Sequence, residues 1–182
     1  MFQVRIHGRG GQGVVTAAEL LSVAAFLDGA HAQAFPSFGS ERTGAPVVAF
    51  CRIDDRPIRV REPIVAPDAV IVQDPTLLHQ VDLFGGLRPG GHVLLNTTRG
   101  AAELGLNDLS VTCVPAGDLA REHLGRPLPN AALLGAFAAL TGVVTLSSVA
   151  AAIRERFATA PAEANVRAAE AAFALAGGLS HA

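Results

Sequence analysis

A glycine-rich segment near the start of the chain holds the residues best suited to bind a ligand. It reads Gly8-Arg9-Gly10-Gly11-Gln12-Gly13 and satisfies the pattern G-x-G-x-x-G. Glycines let a backbone turn tightly and approach a ligand without a Cβ in the way. An apolar run before the segment predicts a strand. An Ala- and Leu-rich stretch after it predicts a helix, whose unpaired N–H groups would stabilise an anion. We expect a phosphate or carboxylate to bind at Gly8, Gly10, Gly11, Gln12 and Gly13. The alternative is that the glycines only allow the strand and the helix to pack closely.

The segment lacks one part of an ordinary dinucleotide site. Such sites place an acidic residue about twenty residues after the glycines, at the end of the second strand, where it binds the ribose hydroxyls. Here that stretch is residues 30–35 (AHAQAF), which contain no Asp or Glu. A stand-alone nucleotide-dependent oxidoreductase is therefore disfavoured, but it stays open as an alternative. His7, beside the glycines, could donate to a ligand phosphate or could be an ordinary half-buried histidine.

Short apolar runs and helical stretches alternate along the chain. The apolar runs predict strands at residues 2–7, 30–34, 47–53, 69–72, 92–96 and 110–114. Periodic stretches predict helices at residues 12–27, 76–84, 118–124, 130–140, 147–157 and 161–176. This alternation predicts a three-layer α/β domain with a mostly parallel sheet. Residues 47–53 and 57–61 flank Asp54-Asp55-Arg56 and predict a β-hairpin insertion, which would make the sheet mixed.

Length and composition exclude several classes of protein. A chain of 182 residues predicts one domain spanning residues 1–182. Fourteen basic and sixteen acidic residues give a net charge of −2, so neither nucleic acid nor an anionic membrane is expected as a partner. The two cysteines cannot hold a four-cysteine iron–sulfur cluster or zinc site, and we expect no metal in this chain. Low cysteine usage and the lack of an N-terminal signal pattern predict a cytoplasmic location.

One segment is long and apolar enough to raise the question of a membrane span. Residues 131–153 contain no charged side chain. Gly142 is placed to end one helix, and Ser147 and Ser148 are placed to cap the start of the next. We therefore expect two buried helices and no membrane span.

Three passages of the chain together resemble a known family. They are residues 8–16 (GRGGQGVVT), 33–46 (QAFPSFGSERTGAP) and 130–136 (NAALLGA). On these motifs the chain is similar to the gamma subunit of 2-oxoacid:ferredoxin oxidoreductases of the pyruvate and ketoisovalerate type. The resemblance extends from residue 6 to about residue 153, and the middle passage is the most specific of the three.

The resemblance implies a role in a complex that oxidatively decarboxylates a 2-oxoacid to acyl-coenzyme A and CO₂. In such complexes, alpha, beta and delta-type partner subunits carry thiamine diphosphate and iron–sulfur clusters and pass electrons to ferredoxin or another acceptor. The gamma subunit is a Rossmann-like α/β unit that packs on the thiamine-binding subunits, and its glycine loop is implicated in binding coenzyme A. The chain would then supply no catalytic residue and would be inactive alone.

The middle passage is implied to face the active site of a partner subunit. Its matching residues are Phe38, Gly39, Ser40, Glu41, Arg42, Thr43 and Gly44. A purely structural assembly subunit, whose glycine loop binds nothing, remains a third possible function. The role of Asn130, at the start of the last motif, stays unassigned.

Arginines are concentrated in residues 42–61. Guanidinium groups suit carboxylates and phosphates, so the cluster could bind the phosphates of acyl-coenzyme A or an acidic partner. Nearby acidic residues nearly cancel the charge, which favours a solvated hairpin with weak local ion pairs. The cluster comprises Arg42, Arg52, Arg56, Arg59 and Arg61.

Overall fold

A computed structural model describes residues 1–37 and 43–179 of the chain. In this part of the chain the strands are β1 (Phe2–Arg9), β2 (His31–Pro36), β3 (Pro46–Asp54), β4 (Ala69–Val72), β5 (His92–Asn96) and β6 (Val111–Val114). The helices are α1 (Val14–Leu27), α2 (Ala116–Leu124), α3 (Asn130–Thr141), α4 (Leu146–Arg156) and α5 (Thr159–Leu179). Two short 3₁₀ turns lie at Pro75–His79 and Ala102–Leu104, the first of which replaces the helix predicted at residues 76–84.

All six strands belong to one sheet, in the order β2-β3-β1-β4-β5-β6. The strands β1, β4, β5 and β6 pair in parallel, whereas β3 runs antiparallel to both of its neighbours. The sheet is therefore mixed and mostly parallel, as the sequence predicts. The carboxyl ends of β1, β4, β5 and β6 share one edge, and the ligand sites of α/β proteins lie at such an edge.

The hairpin of the sheet is not the one predicted. It is formed by β2 and β3, which are consecutive and antiparallel. Residues 57–61 are not a strand, so the predicted pairing across Asp54-Asp55-Arg56 is wrong. The physical reason is that β3 already pairs with β2 on one side and β1 on the other, which leaves it no free edge.

Each face of the sheet is covered, so the domain has three layers. Alternate residues of a strand point to opposite faces. On one face, strand residues such as Ile6, Ile71 and Leu94 pack into a large core with all five helices. On the other face, Val70, Val72 and Leu95 pack under the irregular segments around the two 3₁₀ turns.

The long apolar segment forms two buried helices, α3 and α4, as predicted. The glycine at the end of α3, Gly142, has a φ of 63°, as a helix-ending glycine requires. The start of α4 is capped by Thr145 and not by the predicted serines, since the Thr145 hydroxyl accepts a hydrogen bond from the backbone N–H of Ser148. No helix in the described part of the chain is long and apolar enough to cross a membrane.

Helix α3 and helix α5 approach each other closely at Gly135. A Cβ on this glycine would lie against the carbonyl oxygen of Ala169 and 2.6 Å from its carbonyl carbon. The small side chain is therefore needed for this helix crossing. The crossing fixes the position of α3, whose first residue, Asn130, contacts the glycine-rich segment.

Candidate functional site

The glycine loop, residues 8–13, lies at the carboxyl end of β1. In the sheet, β1 has β3 as its neighbour on one side and β4 on the other. The loop therefore lies between the half of the sheet formed by β2 and β3 and the half formed by β4, β5 and β6. Such a position is the usual ligand crevice of an open α/β sheet. Strand β1 continues through Gly8 and Arg9, two residues further than the sequence indicated.

The first glycine of the loop allows close packing. Gly8 is buried, and a Cβ there would lie 2.6 Å from Cγ2 of Val14 and 2.9 Å from Oε1 of Gln73. Gly8 therefore lets β1, α1 and the end of β4 meet. This is the packing role that the sequence offered as an alternative, and at this position the contacts support it.

The next glycines differ from Gly8 in their surroundings. Gly11 is exposed with a φ of +91°, and a Cβ there would meet no described residue within 4 Å. Gly13 has a φ of +72°, and its Cβ position is blocked by Nδ2 of Asn130. Both conformations favour glycine. Of Gly8, Gly11 and Gly13, Gly11 is the one with open space in front of its backbone, so a ligand can approach the loop there. Gly10 also lines the cleft beside α1, and its backbone N–H donates to the carbonyl of Ala45 at 2.9 Å.

The side chain of Gln12 braces the loop from behind. Its Oε1 accepts a hydrogen bond from the backbone N–H of Arg9 at 2.7 Å, and its Nε2 donates to Oδ2 of Asp74 at 2.8 Å. These bonds use both ends of the amide within the protein. The Gln12 side chain therefore supports the loop, and its backbone N–H is also taken, by the carbonyl of Arg9 at 3.0 Å.

Asp74, just beyond β4, is the anchor of this bracing. Besides Gln12, it accepts a hydrogen bond from Nε of Arg9 at 3.1 Å and from the backbone N–H of Thr76 at 2.9 Å. Partial burial raises the pKa of Asp74, but the hydrogen bonds from Thr76 and Gln12 and the charge of Arg9 outweigh it. The pKa therefore lies below its ordinary value, and the carboxylate is ionised at neutral pH.

Arg9 links the loop to two other segments. Its guanidinium also donates to the carbonyl of Gly44 at 3.0 Å and to the side chain of Gln80 at 3.0 Å. Sequence reasoning did not assign a role to Arg9 or Asp74. The two residues are 65 positions apart, and nothing in the sequence pairs them.

A second chain of amides runs beneath the loop. Gln73 is 2% exposed, and its Nε2 donates to Oδ1 of Asn130 at 2.9 Å. Asn96 connects the same strand end to α2, since its Nδ2 donates to the carbonyl of Gln73 and its Oδ1 accepts from the N–H of Gly117. Asn130 therefore contacts both Gln73 and Gly13, and it joins the start of α3 to the glycine loop.

The passage predicted to face a partner is described only at its end. Phe38, Gly39, Ser40, Glu41 and Arg42 lie outside the described residues. Thr43 and Gly44 are exposed, and the N–H of Gly44 donates to the carbonyl of Gly10 at 3.1 Å. The described end of the passage therefore adjoins the glycine loop.

In the described part of the chain, three clefts border the glycine loop. The α1 cleft, of about 420 Å³, lies between the loop, the first turn of α1 and Thr43. The strand-end cleft, of about 290 Å³, is lined by Gln73, Asn96, Thr97 and the start of α2. The arginine cleft, of about 490 Å³, lies between residues 11–13, the segment 123–128 and the start of α5. Gly11 lines both the α1 cleft and the arginine cleft.

Comparison with known proteins shows the family of the chain. The family model for pyruvate ferredoxin/flavodoxin oxidoreductase matches residues 3–175. The chain belongs to this family. It is 51% identical over 178 residues to the pyruvate/ketoisovalerate oxidoreductases common subunit gamma of Thermococcus kodakarensis, and the match covers 95% of the chain and 96% of that relative. The family resemblance seen in the sequence is thereby confirmed.

Solved structures of similar proteins share the fold. The pyruvate oxidoreductase subunit PORC of Thermotoga maritima is 35% identical, with a TM-score of 0.84 over 95% of both chains. The 2-oxoglutarate:ferredoxin oxidoreductase of Magnetococcus marinus, solved with 2-oxoglutarate, coenzyme A and succinyl-CoA bound, is 18% identical with a TM-score of 0.78. That match covers all of this chain and 32% of the larger protein, and it shows a common fold.

In this oxidoreductase family member, the ordinary dinucleotide site cannot form. Such a site needs the end of the second strand to lie beside the glycine loop. Here β3 separates β2 from β1. The missing acidic residue and the strand order therefore both argue against a stand-alone nucleotide-dependent oxidoreductase.

His7 is uncharged at neutral pH, and none of the described arginines of the predicted cluster lines the three clefts at the glycine loop. Burial and the nearby Arg5 lower the pKa of His7 to about 4, so it is neutral at pH 7 and carries no charge to offer a phosphate. Arg52 is 3% exposed and donates to the carbonyl of Glu62, which makes it a structural residue and not part of a solvated hairpin. Arg59 and Arg61 are exposed, and Arg42 lies outside the described residues.

Proposed function

We propose that this chain is the gamma subunit of a thiamine diphosphate-dependent 2-oxoacid:ferredoxin oxidoreductase and that its glycine loop helps to bind coenzyme A. The observation that carries the proposal is the open space in front of the Gly11 backbone, at the sheet crevice of a chain from this family. Thiamine diphosphate and iron–sulfur clusters belong to alpha, beta and delta-type partner subunits in this proposal. The two free cysteines fit a cytoplasmic complex.

The residues of the loop fit an anionic ligand. Glycine at position 11 lets a phosphate or a pantetheine arm reach the backbone. The helix that begins at Val14 adds the partial positive charge of its first turn, and that turn contains no acidic side chain. Gln12, Arg9 and Asp74 hold the loop in place, so the site is formed before the ligand arrives.

The chemistry of the reaction lies outside this chain in the proposal. Coenzyme A supplies the thiol that accepts the acyl group. The residues described here bind and orient that molecule and provide no acid, base or nucleophile. No group of three or more His, Cys, Asp and Glu residues in the described ranges could hold a metal ion. The passage 38–44, whose described end adjoins the loop, is proposed to face the partner's active site.

Reconstitution tests this proposal. The partner subunits are assembled with and without this chain, and reduction of an artificial electron acceptor by a 2-oxoacid is followed. We expect no turnover by the chain alone and coenzyme A-dependent turnover by the full complex. Oxidation of a 2-oxoacid or reduction of a nucleotide by the isolated chain would favour the stand-alone enzyme instead. Full coenzyme A-dependent activity without the chain would contradict the proposal.

A further inference from the structure

The arginine cleft carries positive charge without a compensating acid. Its lining includes His123, Arg126 and Arg156, and none of its described lining residues is Asp or Glu. The other two clefts differ. Among the described residues, the one charged side chain that lines the α1 cleft is Arg9, whose guanidinium already donates to Asp74 and its neighbours. The strand-end cleft contains Asp74, Asp118 and Arg121, and Arg121 is paired with Asp118 at 2.7 Å. An anion is therefore best accommodated in the arginine cleft.

Both arginines have guanidinium groups available for binding. Arg126 lies in the loop before α3 and Arg156 at the end of α4, and both are exposed. Neither forms an ion pair or a side-chain hydrogen bond with another described residue. Arg156 lies over the ring of Phe157, with 5.7 Å between its guanidinium carbon and the ring centroid. By contrast, Arg154 in the same turn is paired with Glu163 at 2.7 Å.

The rest of the arginine cleft is mainly apolar. Its walls include Leu20 from α1, Leu124 from α2, Leu128 and Phe157. One end is formed by the glycine loop at residues 11–13. A volume of about 490 Å³ is within the range of small-molecule sites. The cleft thus combines an apolar wall, two forked cations and an open backbone segment.

We propose that the arginine cleft binds an anionic small molecule with an apolar arm, and that Arg126 and Arg156 bind its phosphates. Guanidinium forks match phosphate oxygens, and an apolar arm fits against the leucines and Phe157. This inference rests on the proposed function, in which the molecule is coenzyme A and its pantetheine supplies the arm. It adds the two phosphate-binding residues and chooses one of the three clefts.

The test uses the assembled complex and two probes, coenzyme A and pantetheine, which lacks the phosphates. The variant is Arg126→Ala with Arg156→Ala. The matched control is Arg59→Ala with Arg61→Ala, which removes two exposed arginines that do not line the cleft. Dissociation constants are measured by calorimetry after assembly is checked. Because the variant loses charge-assisted bonds to phosphate, its coenzyme A binding should be weaker by about ten- to a hundredfold. Its pantetheine binding should be unchanged. The control variant should bind coenzyme A as the parent does.

Other outcomes separate this inference from the proposed function. If Gly11→Val weakens coenzyme A binding and the arginine pair does not, the arginine assignment is wrong while the proposed function stands. If neither variant changes the dissociation constant of coenzyme A, the arginine assignment and the proposed coenzyme A role of the glycine loop are both wrong. The assignment is also overturned if the arginine pair weakens pantetheine binding as much as coenzyme A binding. It is likewise overturned if the control pair weakens coenzyme A binding as much as the arginine pair does. Should the alanine pair fail to assemble, Arg126→Gln with Arg156→Gln keeps most of each stem and gives the same measurement.

Discussion

Gly13 of the glycine loop lies directly against the side-chain amide of Asn130, the first residue of α3. A side chain on Gly13 would overlap Nδ2 of Asn130, and the Oδ1 of the same amide accepts a hydrogen bond from the buried Gln73. The loop, the end of β4 and the start of α3 therefore meet at one amide. This contact explains why an asparagine follows the proline turn before α3.

Replacing Asn130 should destabilise the protein. Asn130→Ala leaves the Nε2 of Gln73, which is 2% exposed, without its partner. An unsatisfied buried donor costs about 1–3 kcal/mol, so we expect the free energy of unfolding to fall by that amount. Denaturant unfolding measures the change. Asn107→Ala, at an exposed position, is the control and should stay within about 0.5 kcal/mol of the parent. Equal stabilities of the two variants would contradict the role of Asn130.

The glycine in α3 predicts a second stability change. Gly135→Ala would press a methyl group against the backbone of Ala169, and overpacking of this kind costs about 1–3 kcal/mol. The control is Gly177→Ala in α5, where a Cβ meets no other described residue within 4 Å. That change should leave the protein as stable or up to about 1 kcal/mol more stable, because alanine favours helix. Thermal unfolding of both variants measures these changes in stability. A Gly135→Ala variant as stable as the parent would contradict the close crossing of α3 and α5.

Asp28 predicts a pH dependence of stability. Its carboxylate accepts hydrogen bonds from the backbone N–H of Thr145 at 2.7 Å, from the Thr145 hydroxyl at 2.9 Å and from Ser148. Burial raises the pKa of Asp28, but the hydrogen bonds from Ser148 and Thr145 outweigh it and hold the pKa below the ordinary 3.8. A lowered pKa stabilises the fold above the ordinary value, and this contribution is lost as the pH falls through the folded pKa.

Asp28→Ala should therefore be less stable than the parent by about 1 kcal/mol at neutral pH, the usual worth of such hydrogen bonds. The difference should shrink when the pH is taken below 3.8. Urea unfolding over a range of pH measures it, with Asp108→Ala, an exposed carboxylate without hydrogen bonds in the described structure, as the control. If the stability difference between Asp28→Ala and the parent does not change with pH, the charge of Asp28 does not contribute to stability.

The strands and helices could mostly be predicted, but the place of β3 in the sheet could not. Its apolar run marks it as a strand, and nothing in residues 46–54 says that both of its edges pair. The alternation in residues 57–61 suggested a partner strand. In the structure, the carbonyls of Val60 and Glu62 instead accept hydrogen bonds from the buried Arg52. Pairing between distant strands depends on the whole sheet, which local patterns do not report.

The candidate site also has a part that the local sequence predicts and a part that it does not. The glycine loop could be predicted, because its pattern is local and its flanking strand and helix are clear. The residues that hold it, Asp74 and Asn130, are separated from their partners by 57 to 65 positions, so only the folded chain reveals them. The arginine cleft likewise draws Arg126 and Arg156 from separate elements.

The most direct measurement compares two glycine variants in the assembled complex. Gly11→Val and Gly29→Val both put a branched side chain at a positive φ, +91° and +86°, in open space, so they share the backbone strain. Of these two glycines, Gly11 borders the α1 cleft and the arginine cleft, and Gly29 lines neither of them. Steady-state kinetics vary coenzyme A and the 2-oxoacid separately. We predict that Gly11→Val raises the KM for coenzyme A by about ten- to a hundredfold and leaves that for the 2-oxoacid unchanged, while Gly29→Val changes neither. An unchanged KM for coenzyme A in a fully assembled Gly11→Val complex would contradict the ligand role and favour a purely structural subunit.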